Sequence, residues 1–281
     1  DSSMTQRINQ SQQSGVGPRK QSDKLSVRSG FSLIDLMVSL AVIVTLLIIL
    51  LPSLSRAQEA ARRVGCASNI RQVGMALQMY AYDYGDRLPR SVFLEEGRNY
   101  SPHDTIFIYL SGDSEFGRQQ VSHPRWDGLG TLFHLEYLDG SNAFYCPSHA
   151  GEHSYDIYKE RFDRQDRDIA MNYQYRLPKG VRYFTDFHSS TTLLADAMRT
   201  QADYNHVVGN YMFKADLSIT WFNDSDGRLF RSLSGDLSSP NEASDAVQIA
   251  WDLLDNRGGS TPNGGGGHAD PGGPIAGGGK N

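Results

Sequence analysis

From Phe31 to Leu51 the chain reads FSLIDLMVSLAVIVTLLIILL, and Asp35 is the one charged residue in the run. After Leu36 its only polar side chains are Ser39 and Thr45. A helix rises ~1.5 Å per residue, so the run reaches about 30 Å, the thickness of a bilayer's hydrocarbon core. A surface helix of a soluble domain keeps a polar face, and this run has none. It therefore predicts a single transmembrane helix. Arg7, Arg19, Lys20, Lys24 and Arg28 precede the run and outnumber Asp1 and Asp23, while the chain beyond it is net acidic. Basic residues ahead of a span place the N-terminus in the cytoplasm and the bulk of the chain across the membrane.

A secretory signal peptide ends in a small-residue cleavage site after its apolar region. Here Gly30 comes before that region. The stretch SGFSLIDLMVSLAVIVTLLIILLP, residues 29–52, resembles the N-terminus of type IV prepilins and pseudopilins. The resemblance implies a leader over residues 1–30, cut by a prepilin peptidase between Gly30 and Phe31, and N-methylation of Phe31. Asp35 stands at the fifth mature position, where the family usually has Glu. The implied role of that acid is to pair with the N-terminal amine of a neighbouring subunit and set register. A carboxylate left among lipid tails costs on the order of 2.5–3.5 kcal/mol, which gives the pairing a physical reason. Asp is one methylene shorter than Glu, which makes the reach of that pairing the point to test. Pro52 matches a proline that many members carry. Its missing amide predicts a kink in the helix.

Beyond Pro52 the pattern becomes amphipathic. Leu54, Ala57, Ala61, Val64, Ala67, Ile70, Val73, Leu77, Tyr80 and Tyr84 recur at steps of three and four, and Arg56, Glu59, Arg62, Arg63, Arg71 and Gln72 fall mostly off that stripe. The helix is expected to continue over 53–84 and stop at Gly85, with Gly65 and Gly74 weakening it by ~1 kcal/mol each. The segment CASNIRQVGMALQMYAYDYGDRLP, residues 66–89, resembles a large subgroup of bacterial pseudopilin-like proteins. Their pattern runs Cys, Ser-Asn-Leu-Lys/Arg-Gln-Ile-Gly, an aromatic-rich helix end and a turn before Pro. Stripe burial and helix capping account for the same residues without it.

A globular domain is expected over 85–256. Net charge of −5 gives no reason to expect nucleic-acid binding. Thr105–Leu110, Ala143–Cys146, Ile169–Tyr175 and Thr191–Ala195 read as strands, and Gly128–Leu138 as a short helix. The charge-dense run Tyr155–Asp168 reads as a solvated loop or helix. Leu217–Asn223 and Arg228–Leu233 flank Asp224-Ser225-Asp226-Gly227, which predicts a hairpin. Ser239-Pro240-Asn241-Glu242 reads as a capping box opening a helix with Val247, Ala250, Trp251 and Leu254 on its apolar face. The Gly-rich stretch 257–281 buries too little to order itself. His268 within it looks like the start of a C-terminal motif of the resembled subgroup, but Gly278-Gly279 stand where that motif has Asp-Gly.

Few constellations suggest chemistry. Cys66 and Cys146 both recur in the resembled subgroup, and a disulfide between them would close a loop worth ~4 kcal/mol in the chain-entropy model; two free buried thiols are the other reading. Cys146, His149 and His153 have ligand spacing but lack a completing pair, so no metal site is assigned. The acidic loops at 83–86 and 223–227 lack the twelve-residue calcium pattern and read first as turns. Gly112-Asp113-Ser114 lacks the G-x-S-x-G elbow of a hydrolase.

The expected fold is α+β and pilin-like: a long N-terminal helix, transmembrane in its first half (31–52), packed on an antiparallel sheet. The expected function is that of a structural filament subunit, not an enzyme and needing no cofactor. By resemblance it is a pseudopilin of a type II secretion machine. Its partners are prepilin peptidase, other pilin or pseudopilin subunits, an inner-membrane assembly platform and the membrane. The alternatives are a minor or tip subunit of a type IV pilus, or a membrane-anchored binding domain that does not polymerise.

Overall fold

A computed structural model describes residues 32–95, 100–112, 123–149, 151–178, 181–206 and 208–256. It separates into two compact units, Asp1–Ser53 and Leu54–Asn281. The predicted leader, the Gly30–Phe31 bond and the Gly-rich stretch 257–281 lie outside the described residues.

Helix α1 spans Leu33–Asp83 and includes Pro52. Within the first unit its side chains are exposed, from Leu33 through Leu51. Within the second unit Cys66, Ile70, Val73, Gly74, Leu77 and Ala81 are buried at steps of three and four. The buried face is turned from the expected stripe at its start. Leu54 and Val64 are exposed, while Glu59 and Arg63 face the fold. Glu59 meets His206, and Arg63 lies over the Trp221 ring at 4.8 Å. After α1, Gly85 takes φ +65 and Asp86 φ +68, left-handed values that end the helix.

The remaining strands are β1 (Phe107–Leu110), β2 (Arg125–Trp126), β3 (Ile169–Ala170), β4 (Tyr173–Tyr175), β5 (Thr192–Asp196), β6 (Gly209–Lys214) and β7 (Ile219–Asn223). They form two antiparallel sheets, ordered β2-β1-β3 and β4-β5-β6-β7. The helices after α1 are α2 (Gly130–His134), α3 (Tyr155–Tyr158), α4 (Arg161–Arg164), α5 (Arg228–Ser232) and α6 (Pro240–Asp255). The α+β architecture with a long apolar N-terminal helix is as the sequence predicts.

Alternation along a strand explains how the larger sheet is covered. Leu194 and Phe213 pair across β5 and β6 and join the core shared with α1. Their neighbours Ala195 and Met212 also pair, and they join the core of α5 and α6, with Leu229, Val247, Trp251 and Leu254. So the sheet lies between the outer part of α1 and helix α6.

Four expectations need correction. Residues 141–144 form a 3-10 turn, not a strand. Ile169–Tyr175 is two strands in different sheets, separated where the buried Asn172 side chain donates to the His153 carbonyl and accepts from the Cys146 amide. The 224–227 segment is no hairpin turn. Asp224 accepts from the amides of Leu229 and Phe230 and so starts α5, while β7 pairs with β6. Helix α6 begins at Pro240 as expected, but Ser239 makes no side-chain capping bond. The charge-dense run also sends Tyr158 and Phe162 into the core, from α3 and α4.

Gly74 has a packing reason. A Cβ there would meet the Phe213 ring at 2.4 Å. Gly74→Ala gains ~1 kcal/mol of helix propensity but overpacks a buried contact, which typically costs 1–3 kcal/mol. Urea unfolding is expected to show a net loss, largely recovered when Phe213→Leu is added. Asp127 gives a second expectation. Burial pushes its carboxyl from 3.8 up to about 6, against the pull of the Ser91 hydroxyl, the Val92 amide and Arg125. Between those values the folded chain holds a proton that the unfolded chain has released, so stability falls as pH rises through that window. The loss is about 2–3 kcal/mol at most. Asp127→Asn should flatten that part of the stability–pH curve, measured by denaturant midpoints on either side of the window.

Candidate functional site

Two features stand out, one in each unit. The first is the surface of residues 33–51. Leu33, Ile34, Leu40, Ile43, Leu47, Ile48 and Ile49 are all about half exposed or more, on every side of the helix. Its hydroxyls face inward along the backbone. Ser39 donates to the Leu36 carbonyl, and Thr45 to the carbonyls of Ala41 and Val42 at 3.1 and 2.8 Å. Their donors are thus satisfied without water, as an apolar surrounding requires. Among the described residues α1 is the one helix long and apolar enough to cross a membrane. Asp35 lies in its first turn.

The second feature is a buried knot of ligand-type side chains. Cys66 arrives on α1. Cys146 follows the 3-10 turn. Asp196 ends β5, and His206 lies just ahead of β6. All four are buried, and their donor atoms lie within 4.8 Å of one another. Cys66 Sγ donates to Asp196 Oδ1 at 3.0 Å. His206 Nε2 is 3.5 Å from Cys146 Sγ and 3.7 Å from Asp196 Oδ2.

Further groups hold these four in place. Glu59 Oε1 lies 3.1 Å from His206 Nδ1. The Tyr211 amide donates to Asp196 Oδ2 at 2.7 Å, and Asn205 donates to Oδ1 at 3.1 Å. The Ser148 amide donates to Cys146 Sγ at 3.4 Å. Burial pushes the Cys66 thiol well up, and the neighbouring Cys146 and Asp196 add to it. Burial also raises the Cys146 thiol, but its bonds with Cys66 and His206 outweigh this and hold it below its ordinary value. Burial works against charge on His206 too, yet Cys146, Asp196 and Glu59 raise it to about 9.

Of the residues singled out in the sequence, Cys66 and Cys146 are thus brought together, as free buried thiols. His149 and His153 stay outside the knot. His149 Nδ1 meets Asn205 Oδ1 at 2.7 Å, and His153 Nδ1 meets the Tyr158 hydroxyl at 2.8 Å. The local Cys-His-His spacing is therefore not how these groups assemble. Asp196 and His206 had no sequence signal, since each is distant in sequence from both cysteines. Glu59, two turns before Cys66 on α1, read only as a charge off the apolar stripe. The carboxylates of the two acidic loops have protein donors. Tyr137 donates to Asp83, Thr185 to Asp86, Tyr204 to Asp224 and Arg228 to Asp226. Asp113 and Ser114 lie outside the described residues.

An all-round apolar helix leading into an α+β unit is the framework in which the comparisons with known proteins fall. The chain belongs to the family described as protein of unknown function (DUF1559), whose model matches residues 55–214. Glu59, Cys66, Cys146, Asp196 and His206 all lie inside that span. The chain is also similar to competence protein ComGC of Halalkalibacterium halodurans, at 30% identity over 76 residues, which is 27% of this chain and 74% of that protein. No solved structure matches it.

The apolar surface makes a direct prediction. Leu40→Arg places a charge mid-run, at a cost of about 2.5–3.5 kcal/mol for insertion. The share of protein resisting alkaline extraction from membranes should drop sharply, while Leu40→Met leaves it unchanged.

Proposed function

We propose that the chain is a structural subunit of a pilus-like filament, released by prepilin peptidase at Gly30–Phe31 and assembled through residues 31–52. The observation that carries this reading is the apolar surface on every side of residues 33–51 with its hydroxyls bonded to its own backbone. Such a surface is stable in lipid. Outside lipid it must be buried against similar helices, because water penalises it by roughly 25 cal/mol per Å². The likeness to a competence protein supports a pilus-like structural subunit. The finer assignment, to a pseudopilin of a type II secretion machine, rests on the resemblance of residues 29–52 and 66–89.

In this reading the N-terminus starts in the cytoplasm, the helix spans the inner membrane once, and the second unit lies outside it. An assembly platform in the inner membrane draws mature subunits into the filament. Asp35 of one subunit takes the amine of Phe31 on the next. The second unit acts as a packing and display surface, and no catalytic role is assigned to it.

The test is the mass of the protein's N-terminus from its native host. The expected species begins at N-methylated Phe31 and pellets with sheared filaments. Mature protein that retains residues 1–30 would overturn the proposal. Asp35→Ala is expected to cut filament yield about tenfold or more, the effect of losing ~1.4 kcal/mol per contact. Asp35→Glu should retain assembly.

A further inference from the structure

We propose that Cys66, Cys146, Asp196 and His206 form a metal site for a divalent cation of zinc type, which fastens the outer part of α1 to the sheet. The geometry fits a tetrahedral ion. With bonds of ~2.0–2.3 Å, the sulfur, nitrogen and oxygen ligands of such an ion stand roughly 3.3–3.8 Å apart. Two of the donor pairs here, His206 Nε2 with Cys146 Sγ and with Asp196 Oδ2, are 3.5 and 3.7 Å apart. The four donor atoms all lie within 4.8 Å of one another. The 3.0 Å bond from Cys66 Sγ to Asp196 Oδ1 is the one an ion would displace. The donor set also fits: two sulfurs, an imidazole nitrogen and a carboxylate oxygen, the ligand types of zinc sites. Four protein ligands leave no open position, so the site is structural rather than catalytic.

A second set of contacts points the same way. A metal-bound imidazole turns its other nitrogen to a carboxylate, which fixes the ring. Glu59 occupies that position on His206 Nδ1, leaving Nε2 to face Cys146 and Asp196. Arg63 in turn holds Glu59 at 3.3 Å. The Ser148 amide points at Cys146 Sγ, and the Tyr211 amide and Asn205 orient the Asp196 carboxylate. A disulfide between the cysteines would use two of the four donors. It would leave unexplained why a buried carboxylate and a carboxylate-backed imidazole converge on them. A cation accounts for all four: as it binds, the two thiols release their protons to solvent, and its charge offsets the resulting thiolates and the carboxylate.

The test is a cobalt titration of the full chain in detergent, reduced and stripped of metal with a chelator. The expected result is one Co²⁺ per chain, with thiolate-to-cobalt charge transfer in the near ultraviolet and the visible bands of tetrahedral cobalt. Zinc should abolish the spectrum, and the melting temperature should rise with zinc and fall with chelator. Cys146→Ser should remove much of the charge-transfer band. Glu59→Gln should keep the spectrum but weaken affinity about 10–100-fold, as expected for a supporting carboxylate. His153→Ala, whose ring bonds Tyr158 and not a group of this site, should change neither, which separates this site from the local Cys-His-His spacing.

Wild-type protein alone decides the matter if a variant fails to fold. A spectrum of hydrated octahedral cobalt, or binding without the thiolate band, would overturn the proposal. So would a Cys66–Cys146 disulfide in protein from native membranes whose thiols were blocked at lysis. None of these results bears on filament assembly, so the two proposals fail separately.

Discussion

The close approach of α1 to strand β6, where the Phe213 ring fills the space beside Gly74, sets where the rest of the second unit can go. A helix that lies this near a sheet must present small residues at the crossing. Gly74 does so, with Ala76 and Ala81 further along the buried run. Cys66 sits ~12 Å back along the axis and Glu59 ~10 Å further, by helical rise alone. Those steps carry Cys66 to the end of β5 and Glu59 to His206. One crossing thus places both a thiol and a carboxylate against groups from distant parts of the chain.

The other face of the sheet shows the same logic in apolar form. Met212 and Ala195 turn to the apolar faces of α5 and α6, and at the end of α6 Asp255 accepts from the Thr192 amide of β5 and pairs with Arg176. The face toward α1 begins as a hydrophobic layer at Ile70, Val73 and Leu77 and ends as a polar knot at Cys66. Burying those polar groups is costly unless each finds a partner. They do find partners, in the bonds among Asp196, Asn205, Tyr211, His206 and Glu59. The loops that supply them are held by Asn172, whose carbonyl accepts from Ala197 and Asn205.

The long helix, the α+β class and helix α6 were legible because each repeats one pattern over many residues. The apolar run cannot be anything but a helix without a polar face, and Pro240 with its apolar period marks α6 clearly. Short strands were legible only in part. Gly209–Lys214 was missed because its glycine and two polar residues mask the alternation, although it is central to the sheet. The 224–227 turn misled because an Asp before Gly signals either a hairpin or a helix start, and only the position of β6 chooses between them. The buried knot was half visible. Two cysteines suggested a contact, but Asp196 and His206 are brought to them by the pairing of β5 with β6. Glu59 was placed on the solvent side because an unpaired charge belongs there. Its pairing with His206 reverses that rule.

The hydroxyls of Ser39 and Thr45 have a further consequence. With both tied to carbonyls of their own spindle, nothing between Leu36 and Leu51 offers an outside molecule a directional handle. Against greasy neighbours such a spindle is held by shape and dispersion, without a directional bond. Its azimuth and depth must then be fixed from its ends. In the proposed filament Asp35, the acidic residue in the first turn of α1, is the side chain that would act as that pin.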